Sequence, residues 1–270
     1  MAKILVSSFP YVGDCFDKYL ESMTTLGIKN VEFYGCSPHC YLYDLDDERI
    51  NELKYKFEKA NIKPVVFTPE QWDYQMSMAL GEDKVRNRSI EYYKKAIKVA
   101  STIGCEYVSM IAGYGYLNGD RCEDYKRFLT SIKEVLQYAK ENNVKVLLEN
   151  DCESCVSTIE ELKQAIKDIN DDNLGILLDA CELKLCENCF KKAYEELKDY
   201  IVYVQLDDYS ASKGPRLIPG EGELNLKGIT EFLKENNYEG YVGCELRGYT
   251  YMGDPQDATI KAVNWLKENF

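Results

Sequence analysis

Four polar side chains follow short apolar segments in the second half of the chain. Glu149 ends the segment KVLLE, Asp179 ends LGILLD, Gln205 lies in YVQL and Glu245 lies in GCEL. If these segments are neighbouring parallel strands, their carboxyl ends meet at one edge of the sheet. Three acids gathered there repel each other, and a divalent cation is the simplest compensation. The alternative is that each acid is solvated or pairs with a Lys or Arg.

The candidate ligands are all oxygen atoms, three carboxylates and one amide. Hard ions such as Mg²⁺ and Mn²⁺ prefer oxygen ligands, whereas Zn²⁺ more often takes nitrogen and sulfur. The ligand set therefore predicts Mn²⁺ or Mg²⁺ at Glu149, Asp179, Gln205 and Glu245.

Apolar segments and helical stretches alternate along the whole chain, and they predict the elements that position these residues. Eight segments rich in Val, Ile, Leu and Tyr are typical of strands buried on both faces. The predicted strands are 3–7, 30–34, 64–68, 107–112, 145–149, 174–179, 201–206 and 241–246. Strict alternation predicts an α/β fold with an all-parallel sheet. Eight strand–helix units predict one (β/α)₈ TIM barrel over residues 1–270.

An open doubly wound sheet is the second interpretation, but no glycine-rich phosphate fingerprint follows the first strand. Two helix starts are also marked. Ser157-Thr-Ile-Glu160 has the pattern of a capping box, and Asp254-Pro255 has Pro at the first helical position.

The overall charge and the apolar runs exclude several classes of partner. A formal net charge of −13 repels phosphate backbones, so nucleic acid is not an expected partner. No apolar run approaches the roughly 18 residues of a membrane span. The N-terminus is interpreted as a first strand rather than a signal peptide, so a cytoplasmic location is expected. The sequence leaves the oligomeric state open, a homo-oligomer included.

The eleven cysteines predict reduced thiols rather than a disulfide scaffold. Two C-x₂-C pairs, Cys152/Cys155 and Cys186/Cys189, follow the fifth and sixth predicted strands, with Cys181 close by. Adjacent barrel loops could bring them together as a zinc or iron–sulfur site. The alternative is that the second pair packs on a helix at i,i+3 spacing.

Several segments together resemble the sugar phosphate isomerase/epimerase family, the xylose isomerase-like barrels. The similarity covers nearly the whole chain and rests on the order and spacing of five segments: 88–104 (RSIEYYKKAIKVASTIG), 147–150 (LLEN), 175–179 (GILLD), 219–225 (PGEGELN) and 241–246 (YVGCEL). The resemblance implies that Glu149, Asp179, Gln205 and Glu245 bind the metal. It also implies that Glu149 and Glu245 act as acid and base on opposite faces of a sugar-like substrate.

The resemblance further implies that Arg216, just before the Pro-Gly-x-Gly loop, contacts a substrate oxygen. Gln205 and this loop look most like the hydroxypyruvate isomerase branch, since ketohexose 3-epimerases usually carry His at that position. Relatives also have a His three residues after the Asp of the sixth strand, where this chain has Glu182. Glu182 is therefore a candidate substrate-binding residue.

Histidines are scarce in this chain, and His39 is the only one. Its position after the second predicted strand allows it to reach the pocket, or it is simply exposed. This scarcity excludes the DNA-repair endonuclease branch, which needs several histidines for a zinc cluster. Trp72, after the third predicted strand, either walls the sugar pocket or packs in its loop.

Three further acids have two interpretations each. Glu32, within the second predicted strand, either supports the substrate or pairs with a neighbouring base. Of Asp207 and Asp208, one orients Arg216 or Lys213, or both lie in a solvated loop.

The implied reaction is proton abstraction next to a carbonyl, with the ion stabilising an enediolate as a Lewis acid. One Glu removes the proton. The same Glu returns it to the neighbouring carbon in an isomerisation, or the opposite Glu returns it in an epimerisation. We expect a metal-dependent enzyme acting on a small ketose, keto acid or sugar phosphate. Two alternatives stay open: a keto-sugar or keto-inositol dehydratase on this scaffold, and a sugar-binding barrel without catalysis.

Overall fold

The computed structural model describes residues 2–186 and 189–270, and its centre is a parallel barrel surrounded by helices. The strands are β1 (Lys3–Ile4), β2 (Val6–Ser7), β3 (Asn30–Gly35), β4 (Lys63–Pro69), β5 (Tyr107–Met110), β6 (Lys145–Glu149), β7 (Leu174–Asp179), β8 (Ile201–Gln205), β9 (Asp208–Ser210), β10 (Gly214–Leu217) and β11 (Tyr241–Gly243). The first eight of the helices are α1 (Phe16–Thr25), α2 (Asp47–Ala60), α3 (Asp83–Ile103), α4 (Arg121–Glu141), α5 (Ile159–Ile169), α6 (Ala180–Leu185), α7 (Phe190–Leu197) and α8 (Leu226–Glu235). They are followed by α9 (Gly248–Tyr251) and α10 (Pro255–Asn269).

The sheet order is β1-β11-β8-β7-β6-β5-β4-β3-β2, with every pairing parallel. β1 and β2 are the two halves of the first predicted strand, interrupted at Leu5. The first half pairs with β11 and the second with β3, so the two ends of the sheet meet. The predicted TIM barrel is confirmed.

Three strands end earlier than the sequence predicts. β5 stops at Met110, β8 at Gln205 and β11 at Gly243, so Glu245 lies just beyond its strand. The antiparallel hairpin β9–β10, which follows β8 and carries Arg216, is not predicted by the sequence analysis. It is a short insertion at the mouth, outside the strand–helix alternation.

Alternate residues of the central strands face two different apolar layers. Leu147, Leu177 and Tyr203 belong to a small cluster inside the barrel. Their successors Leu148, Leu178 and Val204 belong to the larger cluster between barrel and helices. Because successive strand residues point to opposite faces, Glu149, Asp179 and Gln205 face the barrel interior again.

Helix starts match the sequence closely, with one shift. The capping box of α5 is formed by Thr158 and Glu161, one residue later than Ser157–Glu160, because Thr158 is the residue whose side chain accepts from the third helical N–H. Asp254 caps α10 with Pro255 in its first turn, as predicted. Among the described residues, no helix is long and apolar enough to cross a membrane.

Candidate active site

The four predicted ligands lie together at the carboxyl end of the barrel. Asp179 pairs in register with Gln205, and Gln205 pairs with Gly243, two residues before Glu245. Glu149 and Glu245 line one inner chamber of about 30 Å³. All four side chains are buried. The fold therefore gathers these residues where the strand ends meet.

Burial and mutual repulsion raise the pKa values of the three acids. The pKa of Glu149 lies well above its usual range, first because of burial and then because of Glu245 and Asp179. Burial, followed by the charge of Glu182, raises the pKa of Asp179 to about 8. Burial also raises the pKa of Glu245, although Arg216 opposes the shift. Three ionised carboxylates are thus unfavourable here without a cation.

One buried oxygen each of Asp179 and Gln205 has no hydrogen-bond donor among the described residues. Asp179 Oδ1 accepts from the backbone N–H groups of Cys181 and Glu182 at 2.6 and 3.0 Å, whereas Oδ2 is the atom without a described partner. Gln205 donates through Nε2 towards Glu32, and its Oε1 is likewise unpartnered. Unpaired buried acceptors on adjacent strands fit a divalent cation with oxygen ligands.

The side chains themselves do not converge into a complete ligand set. Within the described residues, no three His, Cys, Asp or Glu side chains are placed to share one ion. Glu245 is instead turned towards Arg216, whose Nε donates to Glu245 Oε2 at 2.5 Å. Glu245 therefore forms an ion pair with an arginine, which is the alternative to metal binding that the sequence left open.

Arg216 is held by two acids and by its backbone. Its guanidinium lies 3.7 Å from Glu182 Oε1, in addition to the bond with Glu245. Burial opposes its charge, but Glu245 and Glu182 outweigh that effect and raise the pKa of Arg216. Its φ of +62° is in the left-handed region, which is strained for a residue with a side chain. Such strain persists where the surroundings fix a residue, as the contacts of Arg216 do.

Glu182 and Trp72 both lie in the cavity above the inner chamber. Glu182 Oε2 accepts from the N–H of Cys152 at 3.1 Å, so it joins α6 to the loop after β6. Trp72 donates through Nε1 to Asp151 at 2.9 Å and stacks on Tyr114. Trp72 is thus both a wall residue and a packed loop aromatic.

His39 occupies a different place from the one considered in the sequence analysis. It is buried, its Nε2 lies 2.8 Å from the carbonyl oxygen of Asp14, and its ring packs against Phe16. Burial lowers its pKa. The described residues that line the inner chamber and the cavity above it do not include His39. The packing behind α1 therefore keeps it from the pocket, and it is not exposed.

The outer cavity has a volume of about 300 Å³ and an acidic lining. Five carboxylates face two guanidinium groups: Glu70, Asp73, Asp151, Glu153 and Glu182 against Arg216 and Arg247. Glu70 and Asp151 were not predicted, although each follows the end of a strand within two residues. Tyr34 was not predicted either, although it ends the second predicted strand, whereas Tyr249 lies in α9 and has no such signal.

Asp208 organises the loop over residues 219–225. Its Oδ2 accepts from Gly220 and Gly222 at 2.9 and 3.0 Å, and its Oδ1 accepts from Leu224 at 2.9 Å. A Cβ at Gly222 would lie 2.3 Å from the carbonyl oxygen of Tyr209, so glycine is required there. Asp208 thus shapes a loop through backbone N–H groups and does not orient Arg216.

Within the part of the chain that the structure describes, no three Cys, His, Asp or Glu side chains are placed to share one ion, so the two C-x₂-C pairs form no such site there. Cys152 lines the outer cavity, whereas Cys155 faces a groove between α4 and α5. Glu187 and Asn188, inside the second motif, lie outside the described residues. The first pair therefore points its thiols to opposite sides of its loop, which does not support a shared zinc or iron–sulfur site.

Comparison with known proteins agrees with this geometry. Residues 20–269 match the family described as Xylose isomerase-like TIM barrel. The chain belongs to this family. The resemblance proposed from the strand-end motifs is confirmed.

Relatives of this xylose isomerase-like barrel act on sugars and related compounds. A fructoselysine 3-epimerase from Shigella flexneri is 25% identical over 235 residues, which is 86% of this chain and 84% of the relative. A 2-oxo-tetronate isomerase from Haemophilus influenzae Rd is 24% identical over 259 residues, with 92% and 91% covered. The prediction of an enzyme of the sugar isomerase and epimerase class is confirmed at that level.

A solved structure with the same fold contains a metal. The crystal structure of the IolI protein "with a binding zinc atom" has a TM-score of 0.79 and 20% identity, and the similarity covers 99% of this chain and 97% of that one. At this identity the similarity shows the fold alone. The zinc is a property of that barrel, and the similarity leaves the ion of this chain open.

Proposed function

We propose that this protein is a divalent-metal-dependent isomerase or epimerase of a small ketose. The observation that carries the proposal is the pair of buried oxygens without a donor among the described residues, Asp179 Oδ2 and Gln205 Oε1, at the ends of the two strands that follow β6, which carries Glu149. Mn²⁺ or Mg²⁺ fits these donors best, because all of them are hard oxygens.

The two glutamates are the proton-transfer groups. Burial raises the pKa values of both groups and so makes each carboxylate a stronger base than it is in water, which favours proton uptake from a carbon next to a carbonyl. Glu149 takes the proton, and either Glu149 or Glu245 returns it, depending on whether the product is an isomer or an epimer. An ion held by Glu149, Asp179, Gln205 and Glu245 would supply Lewis-acid stabilisation of the negative charge that develops on the substrate.

Arg216 and the outer wall position the substrate. Arg216 opposes the rise in the pKa of Glu245 and holds its Oε2 through the 2.5 Å contact with Nε. Trp72 offers a planar apolar surface that suits the C–H face of a sugar. Asp151 beside it offers carboxylate oxygens that suit the sugar hydroxyl groups. Closure of the inner chamber by these side chains keeps water from the reacting carbon.

The charge of the outer cavity selects against anionic substrates. Among the described lining residues, five carboxylates outnumber the two guanidinium groups of Arg216 and Arg247 and so disfavour a phosphate or a carboxylate, and Arg216 is already paired with Glu245 and Glu182. We therefore propose an uncharged or amine-bearing ketose rather than the keto acid or sugar phosphate that the sequence analysis also considered.

The experiment that tests the function is solvent deuterium exchange. The metal-stripped protein is incubated in D₂O with Mn²⁺ and with a panel of ketohexoses, an amine-bearing ketose, hydroxypyruvate and a ketose phosphate. We expect Mn²⁺-dependent deuterium at the carbon next to the carbonyl in uncharged or amine-bearing ketoses, together with an isomer or epimer. Exchange that is equally fast with a chelator present, or no exchange with any substrate, overturns the proposal. An absorbing dehydration product identifies the dehydratase alternative instead.

A further inference from the structure

Asp207 lies two residues beyond the end of β8 at Gln205. Leu206 donates its N–H to the carbonyl oxygen of Gly243 at 2.8 Å, so the chain continues the course of β8 beyond Gln205. Val204 and Leu206 pack in the outer apolar layer, whereas Tyr203 belongs to the inner one. By the alternation of strand residues, Asp207 faces the interior on the same side as Tyr203 and Gln205.

Its carboxylate is fully buried. Asp207 is 0% exposed, and no donor in the described part of the chain reaches either of its oxygens. Its neighbour Asp208 is equally buried, but four backbone N–H groups satisfy its oxygens. A bare buried carboxylate is strongly unfavourable unless a cation or a proton compensates it.

The charged groups that act on Asp207 are those of the proposed metal site. Asp179 is the first of them, followed by Arg216 and Glu245. Arg216 makes its ion pairs with Glu245 and Glu182, and no ion pair among the described residues includes Asp207. Across the described residues, Asp207, Asp179 and Gln205 thus carry four buried oxygens without donors, at the ends of two neighbouring strands.

We propose that Asp207 is an additional ligand of the divalent ion, alongside Asp179 and Gln205. The inference rests on the proposed function, because the ion is the one proposed there. A carboxylate from this position adds a hard oxygen to a site in which one ligand, Gln205, is uncharged. It also explains why an acid without donors is placed among other acids.

The test is calorimetric titration of Mn²⁺ into metal-stripped protein, with a reading that does not depend on turnover. Four proteins are compared: the wild type, Asp207→Asn, Asp179→Asn as a variant of a proposed ligand, and Glu235→Gln as an exposed control far from the site. We expect Asp207→Asn to weaken Mn²⁺ binding at least about 10-fold, as loss of metal-site partners does. Asp207→Glu, which keeps a carboxylate, should recover part of the affinity.

The outcomes separate this inference from the proposed function. If Asp207→Asn binds Mn²⁺ within twofold of wild type while Asp179→Asn binds poorly, Asp207 is no ligand and the metal site stands. If the wild type binds neither Mn²⁺ nor Mg²⁺, the proposed metal dependence is wrong as well. Thermal unfolding of the metal-stripped variants checks folding. Asp207→Asn should be at least as stable as wild type, since it removes an uncompensated buried charge, and Mn²⁺ should then raise its melting temperature less.

Discussion

The orientation of one amide decides whether Gln205 can serve as a metal ligand. An amide has a donor end and an acceptor end, and only the oxygen can bind a cation. Glu32 accepts from Thr68 Oγ1 at 2.6 Å and from Tyr203 Oη at 2.8 Å, and it attracts the Nε2 end of Gln205. Burial, and then the charge of Glu245, raises the pKa of Glu32 to about 7. Glu32 is thus a positioning residue that leaves Gln205 Oε1 facing the site.

Removing the charge of either proposed base should abolish proton transfer. We expect Glu149→Gln and Glu245→Gln each to lower kcat by about 10²–10⁴-fold, because that is the usual contribution of general acid–base catalysis. Deuterium exchange and product formation measure the loss, while circular dichroism checks the fold. Glu235→Gln is the exposed control and should keep wild-type kcat. Undiminished turnover in both active-site variants would rule out the two-carboxylate mechanism.

At the scale of elements, the start of α5 is tied to α4 by one carboxylate. Glu161 Oε2 accepts from the backbone N–H groups of Ser157 and Thr158 at 2.9 and 3.0 Å, and Arg121 Nε donates to Oε1 at 3.0 Å. Burial opposes the ionised form, but these partners outweigh it and lower the pKa of Glu161 to about 2. The capping box and the ion pair together fix the loop that carries Asp151 and Cys152 into the outer cavity.

This cap predicts an acid-sensitive contribution to stability. The folded-state pKa of Glu161 is depressed, so its contribution is fully present above the unfolded value near 4.5 and is lost as the pH falls through about 2. We expect Glu161→Gln to lower the free energy of unfolding by roughly 1–3 kcal/mol at pH 7, with a smaller difference at pH 3. Denaturant unfolding at both pH values measures this. Glu160→Gln, an exposed neighbour, should change little, and equal effects of the two variants would contradict the assignment.

At the scale of the whole molecule, the barrel places an acidic end over an apolar centre. The inner cluster of Leu147, Leu177 and Tyr203 excludes water from one side of the site. The ionised forms of the carboxylates at the strand ends next to this cluster are therefore unfavourable in the metal-free protein. The folded pKa of Asp179 is raised to about 8. The stability that its protonated form contributes is therefore fully present below the pKa of Asp179 in the unfolded chain, and it is lost as the pH rises through 8.

An ion that binds only the folded barrel should offset this penalty. At a free concentration about 100 times Kd, Mn²⁺ should add about 2.7 kcal/mol to the free energy of unfolding. For a chain of this size that corresponds to a rise in Tm of roughly 5–10 °C. Differential scanning fluorimetry of chelator-treated protein, with and without added Mn²⁺, measures the shift. A Tm that neither chelator nor Mn²⁺ changes would show that no such ion stabilises the fold.

The sequence by itself determined the architecture and the identity of the polar residues at the carboxyl end of the barrel. Alternating apolar segments and helices require a parallel sheet, and the residue at the end of each strand follows from where the segment stops. Glu149, Asp179, Gln205 and Glu245 were therefore predictable from local pattern, and so was the capped start of α10 at Asp254.

Only the tertiary structure decided which partners these residues meet. These partners come from segments far apart in the chain: Arg216 contacts Glu245, His39 packs behind α1, and Glu32 orients Gln205. The burial of Asp207 without a donor also depends on how distant segments pack around it. Such contacts depend on how loops pack over the barrel mouth. Side-chain pairing in three dimensions leaves no periodic trace in one segment, so sequence patterns locate the acids while packing sets their charge and orientation.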